Sequence, residues 1–436
     1  MHKTLEKILG FCKRWKKTLI VGGAALAVLA GSAGYVCYDW QRIYHAGSRY
    51  SWQKYQKKRD RADIERVNLE IAVNQETLDI EARSDMELNA GGKDIVLILN
   101  NGFTIDEAVL NGREASAERD FINKRIFTVK NESDDRCNLS LRYHGKASSL
   151  QNGFVQIDSA GWLPEDSNSF PSYRISVTVR KGLTAIAPGN LVGAVEKGDN
   201  KAFTYETERM RYPVIIAGNF RQETRKINDF TYNLYYTELD KKKIDELFRD
   251  ADKIVRFYTE LFGDLGNRTF TFVQAPGSCI HANFSMMVFS SDKCNYPFLA
   301  HELSHSWWGC SVSYDEYESR FYESLAMLSE LTAKEKLQLK RQWQTRRKYF
   351  KQAFDANLPC VKDVDSFSPY AHDVFYYKAP HLLLMLQEEM GEDAFFKGLK
   401  DYFKQERYKI SSIKRFQEVM QENSEKDLSR FFEKYF

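Results

Sequence analysis

The chain has 436 residues with 63 basic and 60 acidic side chains, so its net charge is only +3. This length is too great for one average domain and predicts two soluble domains plus a further segment. The charge is balanced and no basic stripe runs through the part expected to fold, which argues against a nucleic-acid-binding protein.

Cysteine spacing gives no sign of a cysteine zinc site. The chain has seven cysteines, and none of them form a C-x-x-C pair. Cys279, Cys294 and Cys310 are close enough in sequence to form a disulfide, with buried free thiols as the alternative. The spacing leaves both open.

The N-terminus combines a basic tail with a long uncharged segment. Residues 1–17 form the tail, and residues 18–38 contain no charged side chain. About twenty apolar residues can span a bilayer, so 18–38 is a predicted transmembrane anchor. A cleaved signal peptide is the alternative, because Gly31-Ser32-Ala33 offers small residues at a cleavage site. Residues 39–62, rich in aromatic and basic side chains, are predicted to be a juxtamembrane linker.

The basic tail also predicts the orientation of this single-pass segment. Positive charge favours the cytoplasmic side of a membrane, so the N-terminus is expected inside. The folded part of the chain is then expected outside the cytoplasm.

Residues 63–220 have the pattern of a β domain. Apolar and polar residues alternate in Val67–Val73, Thr77–Ala82 and Tyr173–Val179, which is typical of half-buried strands. Turn sequences such as Asn100-Asn101-Gly102 separate the candidate strands. Many short strands with few helical patterns predict an antiparallel β-sandwich or saddle.

Residues 221–436 have a mostly helical pattern, so the predicted fold class is α+β. Apolar periodicity predicts helices at Lys241–Leu261, His301–Trp308, Ser319–Ala333, Lys334–Ala356, Phe375–Met390, Glu392–Gln405 and Ile413–Glu422. One strand, Thr269–Val273, is expected among them.

One short run in this half contains the pattern H-E-x-x-H. His301 and His305 are four residues apart, so on a helix both rings point from one face and can bind the same zinc ion. Glu302 between them is the candidate general base. The alternative is a surface helix with two solvated histidines.

A zinc hydrolase needs a third protein ligand. Glu323 is the candidate, because the next predicted helix would hold its carboxylate rigidly. Glu316 and Glu318 lie in the preceding loop, and Glu330 is displaced by about 10 Å along the helix axis.

These residues resemble the aminopeptidase N-type zinc metallopeptidases, also called membrane alanyl aminopeptidases, which are gluzincins. Ser306–Gly309 is similar to the family residues that follow the histidines, and Tyr322–Ala326 is similar to the element that carries the ligand glutamate. Seventeen residues separate His305 from Glu323, one fewer than in the family pattern. Tyr376–Ala379 is similar to the family's Tyr-Glu-Lys-Gly element.

The resemblance covers about 370 residues of the chain and implies a site and a fold. It implies a thermolysin-like catalytic domain at 221–436 with one Zn2+ bound by His301, His305 and Glu323. Glu302 would be the general base, and Tyr376 would stabilise the oxyanion. The C-terminal helical domain of larger members is missing, so a short form is expected.

One residue departs from the family pattern. Ala282 stands where the resemblance implies a glutamate that binds the substrate's free α-amine. A methyl group cannot pair with an ammonium group, so strict aminopeptidase specificity is not expected. Gln156 and Asp158 are candidates to replace that contact.

The sequence therefore predicts a membrane-anchored zinc metallopeptidase. Its expected partners are a peptide or protein substrate and, through residues 18–38, the lipid bilayer. Two alternatives stay open: a non-catalytic zinc-containing binding or scaffold ectodomain, and a zinc hydrolase of a non-peptide substrate. The sequence does not specify the oligomeric state.

Overall fold

A computed structural model describes residues 62–436 apart from 122, 133, 158–160, 167, 277–280, 290–297, 316, 319 and 340–342. The predicted tail, the predicted anchor at 18–38 and residues 39–61 of the predicted linker lie outside these residues. None of the helices that the structure describes combines the length and the apolar composition needed to cross a membrane.

The first half of the described chain is almost entirely β. Its strands are β1 (Asp63–Val73), β2 (Asp79–Asn89), β3 (Ile95–Ile98), β4 (Thr104–Leu110), β5 (Arg113–Glu114), β6 (Ala117–Arg119), β7 (Ile126–Val129), β8 (Arg136–Lys146), β9 (Ser148–Ser149), β10 (Val155–Ile157), β11 (Ser172–Arg180), β12 (Thr184–Ile186), β13 (Asn190–Lys197), β14 (Asn200–Thr207) and β15 (Ile215–Gly218). We call this part the β-rich half.

The β-rich half is built from three sheets. The largest has eight strands in the order β13-β14-β11-β1-β2-β8-β4-β5, and the others are β12-β15-β10-β9 and β3-β7-β6. Side chains alternate between buried and exposed along β1 and β2, as the sequence pattern predicts, because successive side chains point to opposite faces of a strand. Their buried faces form one apolar core with residues of the smaller sheets.

The prediction of an antiparallel arrangement is wrong for one central pair. β1 pairs in parallel with β11, with Leu69 opposite Ile175. About a hundred residues separate these two strands in sequence, and such a long crossover allows parallel pairing, whereas a short hairpin would not. The alternation within each strand is the same for both directions, so it carries no information about this choice.

The second half is mostly helical and begins with a mixed sheet. Its elements are β16 (Arg221–Ile227), β17 (Phe230–Tyr236), α1 (Lys241–Phe262), β18 (Thr269–Gln274), β19 (His281–Asn283), β20 (Met286–Phe289), α2 (Leu299–Ser304), β21 (Val312–Tyr314), α3 (Phe321–Lys336), α4 (Trp343–Asp355), α5 (Ala371–Asp373), a π-helical turn (Val374–Lys378), α6 (Ala379–Met390), α7 (Glu392–Glu406), β22 (Lys409–Ser411), α8 (Ile413–Glu422) and α9 (Ser429–Tyr435). The five strands β16-β17-β18-β20-β19 form one sheet. The predicted α+β class is confirmed.

Helix α1 shows why the sequence pattern works in this half. Asp240 caps its N-terminus by accepting a hydrogen bond from the backbone N–H of Lys243 at 2.8 Å. Its apolar residues recur on one face and are buried in the main core. Tyr258 on that face donates a hydrogen bond to the carbonyl of Ala300 at 2.9 Å, so α1 supports the helix that carries the histidine motif.

Two predicted helices differ from the observed ones. The motif helix was expected to extend to Trp308, but α2 ends at Ser304 and His305 caps it. The single helix expected at Lys334–Ala356 is divided between the end of α3 and α4. In the motif segment the chain turns at Gly309, whose φ of 104° is unfavourable for a residue with a side chain. The N–H of Gly309 donates a hydrogen bond to the carbonyl of Val312 at 2.8 Å.

The two halves meet beside the motif helix. Arg211 of the β-rich half donates a hydrogen bond to the hydroxyl of Ser313 at 2.8 Å. Asn283, at the end of β19, donates its side-chain N–H to the carbonyl of Tyr212. The end of β19 is therefore attached to the β-rich half, and the hairpin tip reaches the segment after α2, because the N–H of Ser285 donates to the hydroxyl of Ser306 at 3.3 Å.

Candidate metal centre and catalytic site

The H-E-x-x-H residues lie on a buried, tightly packed helix, not on a solvated surface. His301, Glu302 and His305 are each at most 8% exposed. Trp307 and Trp308, which follow, are fully buried and pack against Phe262 of α1. The alternative of two solvated histidines on a surface helix is therefore wrong.

His305 keeps the geometry of the motif although α2 ends before it. Its backbone is still in the right-handed helical region, with φ −62° and ψ −20°, so its side chain stays on the same face as His301. Its Nδ1 lies 3.0 Å from the carbonyl of Trp308. Because a carbonyl only accepts, Nδ1 carries the proton and Nε2 is left as a lone-pair donor.

Three side chains bring a donor atom to one point. Nε2 of His301 and Nε2 of His305 are 3.2 Å apart, and Oε2 of Glu323 lies 3.3 Å from the first and 3.6 Å from the second. A tetrahedral zinc ion with bonds of about 2.05 Å has ligand-to-ligand edges of about 3.35 Å. The three observed edges fit that geometry.

The unpaired atoms at this point also fit a metal ion. Oε2 of Glu323 is buried and has no hydrogen-bond partner among the described residues. Two imidazole nitrogens and a carboxylate oxygen packed this closely need a positive charge between them, which a proton or a metal ion can supply. These three residues form the metal-ligand group found in the described part of the chain, and two nitrogens with one oxygen suit zinc.

The electrostatics of the site favour a cation. Burial alone would raise the pKa of Glu323, but His305 and His301 outweigh it and lower that pKa to about 2. Burial alone would lower the pKa of His301, but the carboxylates of Glu323 and Glu330 outweigh it and raise that pKa to about 10. Although burial alone would raise the pKa of Glu330, His301 and Lys334 lower it to about 2, so the carboxylates of Glu323 and Glu330 are both ionised at neutral pH and stabilise positive charge at this point.

Glu330 supports the site from the far side of His301. Its Oε2 lies 3.5 Å from Nδ1 of His301, and its side chain is 1% exposed. Lys334 forms an ion pair with its Oε1, and Arg346 of α4 lies 3.6 Å from the same atom. A carboxylate behind a ligand histidine orients the ring toward the metal, and the two cations hold this carboxylate in place.

Tyr376 lies over the metal-ligand group. Its ring centroid is 6.5 Å from that of His301, and it stacks on His372 at 4.7 Å. Burial and the Glu323 carboxylate raise the pKa of Tyr376 well above its usual value. The phenol therefore keeps its proton at neutral pH and can donate a hydrogen bond.

The π-helical turn that carries Tyr376 is connected to α3. The hydroxyl of Ser324 donates a hydrogen bond to the carbonyl of Phe375 at 2.7 Å. Ser324 directly follows Glu323, and Phe375 directly precedes Tyr376, so one bond couples the two candidate site residues. Pro380, which has no N–H, follows the turn, and π-helical turns occur frequently at functional sites.

Ala282 lies on β19, opposite Met287 of β20, and is half-buried. Its neighbour Asn283 is buried, and the side-chain oxygen of Asn283 has no partner among the described residues. Gln156 lies on β10 and is buried. Asp158 lies outside the described residues, as do Cys279 and Cys294.

Cys310 is a free thiol, so the disulfide alternative for this residue is not realised. Its Sγ accepts a hydrogen bond from the N–H of Phe284 at 3.2 Å. Burial raises the pKa of the Cys310 thiol to about 11, which keeps it protonated and unreactive at neutral pH.

Several supporting residues have no signal in the sequence. Glu330 was considered only as a competing ligand, and the contact between its carboxylate and His301 depends on the packing of α2 against α3. The other supporting residues are Ser324, Lys334, Arg346 and His372. The one sequence pattern that could have indicated part of this group is a lysine four residues after a glutamate, Lys334 after Glu330, because such a pair meets on one face of a helix.

A metal-ligand triangle beside a buried glutamate and a protonated tyrosine, on an α+β fold, defines a zinc metallopeptidase. Residues 267–435 match the Peptidase family M1 domain. This part of the chain therefore carries a peptidase domain of that family, as the resemblance of its motifs implied.

Solved structures share the fold. The M1 zinc metallopeptidase from Deinococcus radiodurans has a TM-score of 0.70 and 16% identity, covering 83% of this chain and 90% of that chain. A mutant of the M1 enzyme from this organism, bound to a Tyr-Ser-Ala substrate, has a TM-score of 0.70 and 16% identity over 83% and 91%. A mutant two-domain M1 enzyme bound to L-tryptophan has a TM-score of 0.72 and 15% identity over 86% and 94%. No curated protein matches the chain.

Proposed function

We propose that this zinc peptidase uses His301, His305 and Glu323 as its zinc ligands, Glu302 as general base and Tyr376 as oxyanion donor. The observation that carries the proposal is the triangle of donor atoms with edges of 3.2, 3.3 and 3.6 Å. A zinc ion held there supplies Lewis-acid chemistry for hydrolysis.

The protein groups have separate roles in this mechanism. Glu302 accepts a proton from the attacking water and delivers it to the leaving amine. Tyr376 donates its phenolic hydrogen to the carbonyl oxygen as negative charge develops there. The raised pKa of Tyr376 supports this role, because only the protonated phenol can donate.

We propose a peptide substrate whose free α-amine is not required. Ala282 offers no negative charge to an ammonium group, and its side chain is half-buried on β19. A structural neighbour crystallised with a Tyr-Ser-Ala substrate supports the peptide as substrate class. The loss of the amine contact then broadens the choice of the peptide bond that is cleaved.

We further propose that the chain is attached to a membrane through residues 18–38, with its catalytic part outside the cytoplasm. The uncharged run and the basic residues of 1–17 support this placement. We propose domain limits of 63–220 and 221–436, with 39–62 as the linker. The pairing of β16 with β17 in the second half supports a limit before Arg221.

The specificity proposal is tested with matched peptides. The full-length protein is given the same peptides with a free and with an N-acetylated amino terminus, and bound zinc is measured in the same preparation. We expect both forms to be cleaved at similar kcat/KM. Strong preference for the free amine would contradict the role given to Ala282, and stoichiometric zinc without cleavage of either form would contradict the peptidase mechanism.

A further inference from the structure

The imidazole of His372 contacts the candidate oxyanion donor, Tyr376, and the mechanism proposed above gives this histidine no role. The two residues are four apart, on α5 and on the π-helical turn that follows it, and this spacing brings side chains together on one helix face. Their ring centroids are 4.7 Å apart, with an angle of 18° between the ring planes. The imidazole therefore stacks on the phenol ring.

This stack is continuous with the metal-ligand group. The ring of Tyr376 also lies nearly parallel to that of His301, with centroids 6.5 Å apart and an angle of 21° between the planes. His372 makes the closer of these two ring contacts. The plane of the phenol ring is thus set by one ring that belongs to the candidate zinc site and by one that does not.

The imidazole of His372 is itself held in place. Tyr377 contacts it edge-on, with ring centroids 5.6 Å apart and an angle of 64° between the planes. Its Nδ1 lies 3.3 Å from Oδ1 of Asp373. Because two neighbours confine the ring, His372 can restrain Tyr376 in turn.

His372 contributes little to the packing of the core. Its side chain is 61% exposed, and replacement of an exposed side chain away from the core usually changes the stability of a protein only slightly. The contact with Tyr376 is therefore what a substitution of His372 removes.

An oxyanion donor acts only when its hydroxyl lies where the negative charge develops. The side chain of Tyr376 is half-buried, and rotation about its two side-chain torsions can turn the hydroxyl away from the metal-ligand group. Those rotations break the contact with His372, so the stack disfavours them.

We propose that His372 is a positioning residue that holds the hydroxyl of Tyr376 toward the metal-ligand group. The imidazole acts through its flat contact with the phenol ring and takes no part in proton transfer. The inference rests on the proposed function, in which Tyr376 is the oxyanion donor.

Steady-state kinetics of the zinc-loaded protein test this role. His372→Ala should lower kcat by about twofold to tenfold, the range that stacked aromatic pairs contribute, and should leave KM unchanged. His372→Phe keeps a flat ring and should retain a kcat close to that of wild type. The matched control is His144→Ala, which removes an exposed histidine beside Asp106 in the β-rich half and should leave both constants unchanged.

Three kinetic results would contradict the proposal. An unchanged kcat in His372→Ala would remove the positioning role. A raised KM with unchanged kcat would make His372 a substrate contact instead. A kcat of His372→Phe as low as that of His372→Ala would assign the effect to the imidazole nitrogens.

A double-mutant cycle identifies the group through which His372 acts. When Tyr376→Phe has removed the hydroxyl, its orientation no longer affects the reaction, so adding His372→Ala should lower kcat no further. Losses that multiply in the double variant would mean that the two side chains act independently, and would refute the positioning role.

A measurement without turnover separates this inference from the proposed function. The zinc-loaded full-length protein is prepared with a single fluorine on the ring of Tyr376, and its fluorine NMR signal is recorded. We expect His372→Ala to shift this signal and His144→Ala to leave it in place. A shift supports the stack even if the wild-type protein cleaves nothing, whereas an unshifted signal in His372→Ala would refute the stack even if peptide is cleaved.

Discussion

Replacing Glu165 by glutamine should change how the stability of the β-rich half depends on pH. Glu165 forms an isolated β-bridge with Ile98 and is 9% exposed. Burial raises the pKa of this carboxyl to about 8 from 4.5, against the opposing charges of Arg211 and Arg125. The folded protein therefore keeps a proton on Glu165 at neutral pH.

The sign and size of the effect follow from this pKa. Between about pH 4.5 and 8 the unfolded chain has lost the proton that the folded chain retains, so stability falls as pH rises through this range. Each tenfold change in the proton equilibrium corresponds to about 1.4 kcal/mol, and we expect about 2–5 kcal/mol over the whole interval.

Glu165→Gln keeps the neutral shape and removes the proton equilibrium. Relative to wild type, the variant should gain that 2–5 kcal/mol in free energy of unfolding between about pH 5 and 8. Urea unfolding of the zinc-loaded protein at several pH values measures the difference. Glu70→Gln, at an exposed position of β1, is the control and should show no such gain.

If the difference in free energy of unfolding between wild type and Glu165→Gln stays constant across this pH range, the reasoning is refuted. So would a wild-type protein that becomes more stable than the variant as pH rises. Either result would mean that Glu165 is ionised in the folded protein.

Three further predictions concern single side chains. Lys334→Met removes the main partner of Glu330 and should weaken zinc binding by about 10- to 100-fold, measured by competition with a chelator; unchanged affinity would contradict the role given to that ion pair. Tyr376→Phe should lower kcat by about a hundred- to a thousandfold with zinc retained, and a smaller loss would remove Tyr376 from the mechanism. Tyr143→Phe deletes a buried hydroxyl without a partner among the described residues, so the free energy of unfolding should stay equal or rise by about 1 kcal/mol; a loss of stability would reveal a partner.

Local patterns in the sequence predicted which residues come together in much of the candidate site. Two histidines four residues apart need only a helix to face the same way. Glu323 could be selected because a helix was predicted around it, and α3 places its carboxylate at the ligand point. These relations lie within one or two adjacent elements, so periodicity and spacing determine them.

Other features depend on contacts between distant elements. The parallel pairing of β1 with β11 leaves the alternation in each strand unchanged, so no pattern distinguishes it from antiparallel pairing. The contact of Glu330 with His301 depends on how α2 packs on α3. The hydrogen bond from Ser324 to the carbonyl of Phe375 requires the π-helical turn to pack against α3.

The end of the motif helix shows a third reason why local sequence patterns do not predict the whole structure. Residues 305–308 have no helix-breaking side chain, and a helix to Trp308 was expected. Instead, Trp307 and Trp308 are buried against α1 while the chain turns at Gly309. Burial of two large aromatic side chains outweighs the local preference for a continued helix.

The most direct test of the account measures zinc content and peptide cleavage together in wild-type protein and in Glu302→Gln. Glu302 lies on α2 between the two histidines in sequence but is not one of the three residues that form the triangle of donor atoms. We predict that both proteins bind stoichiometric zinc and that only the wild type cleaves peptide. Cleavage by zinc-loaded Glu302→Gln at the wild-type rate would contradict the central claim.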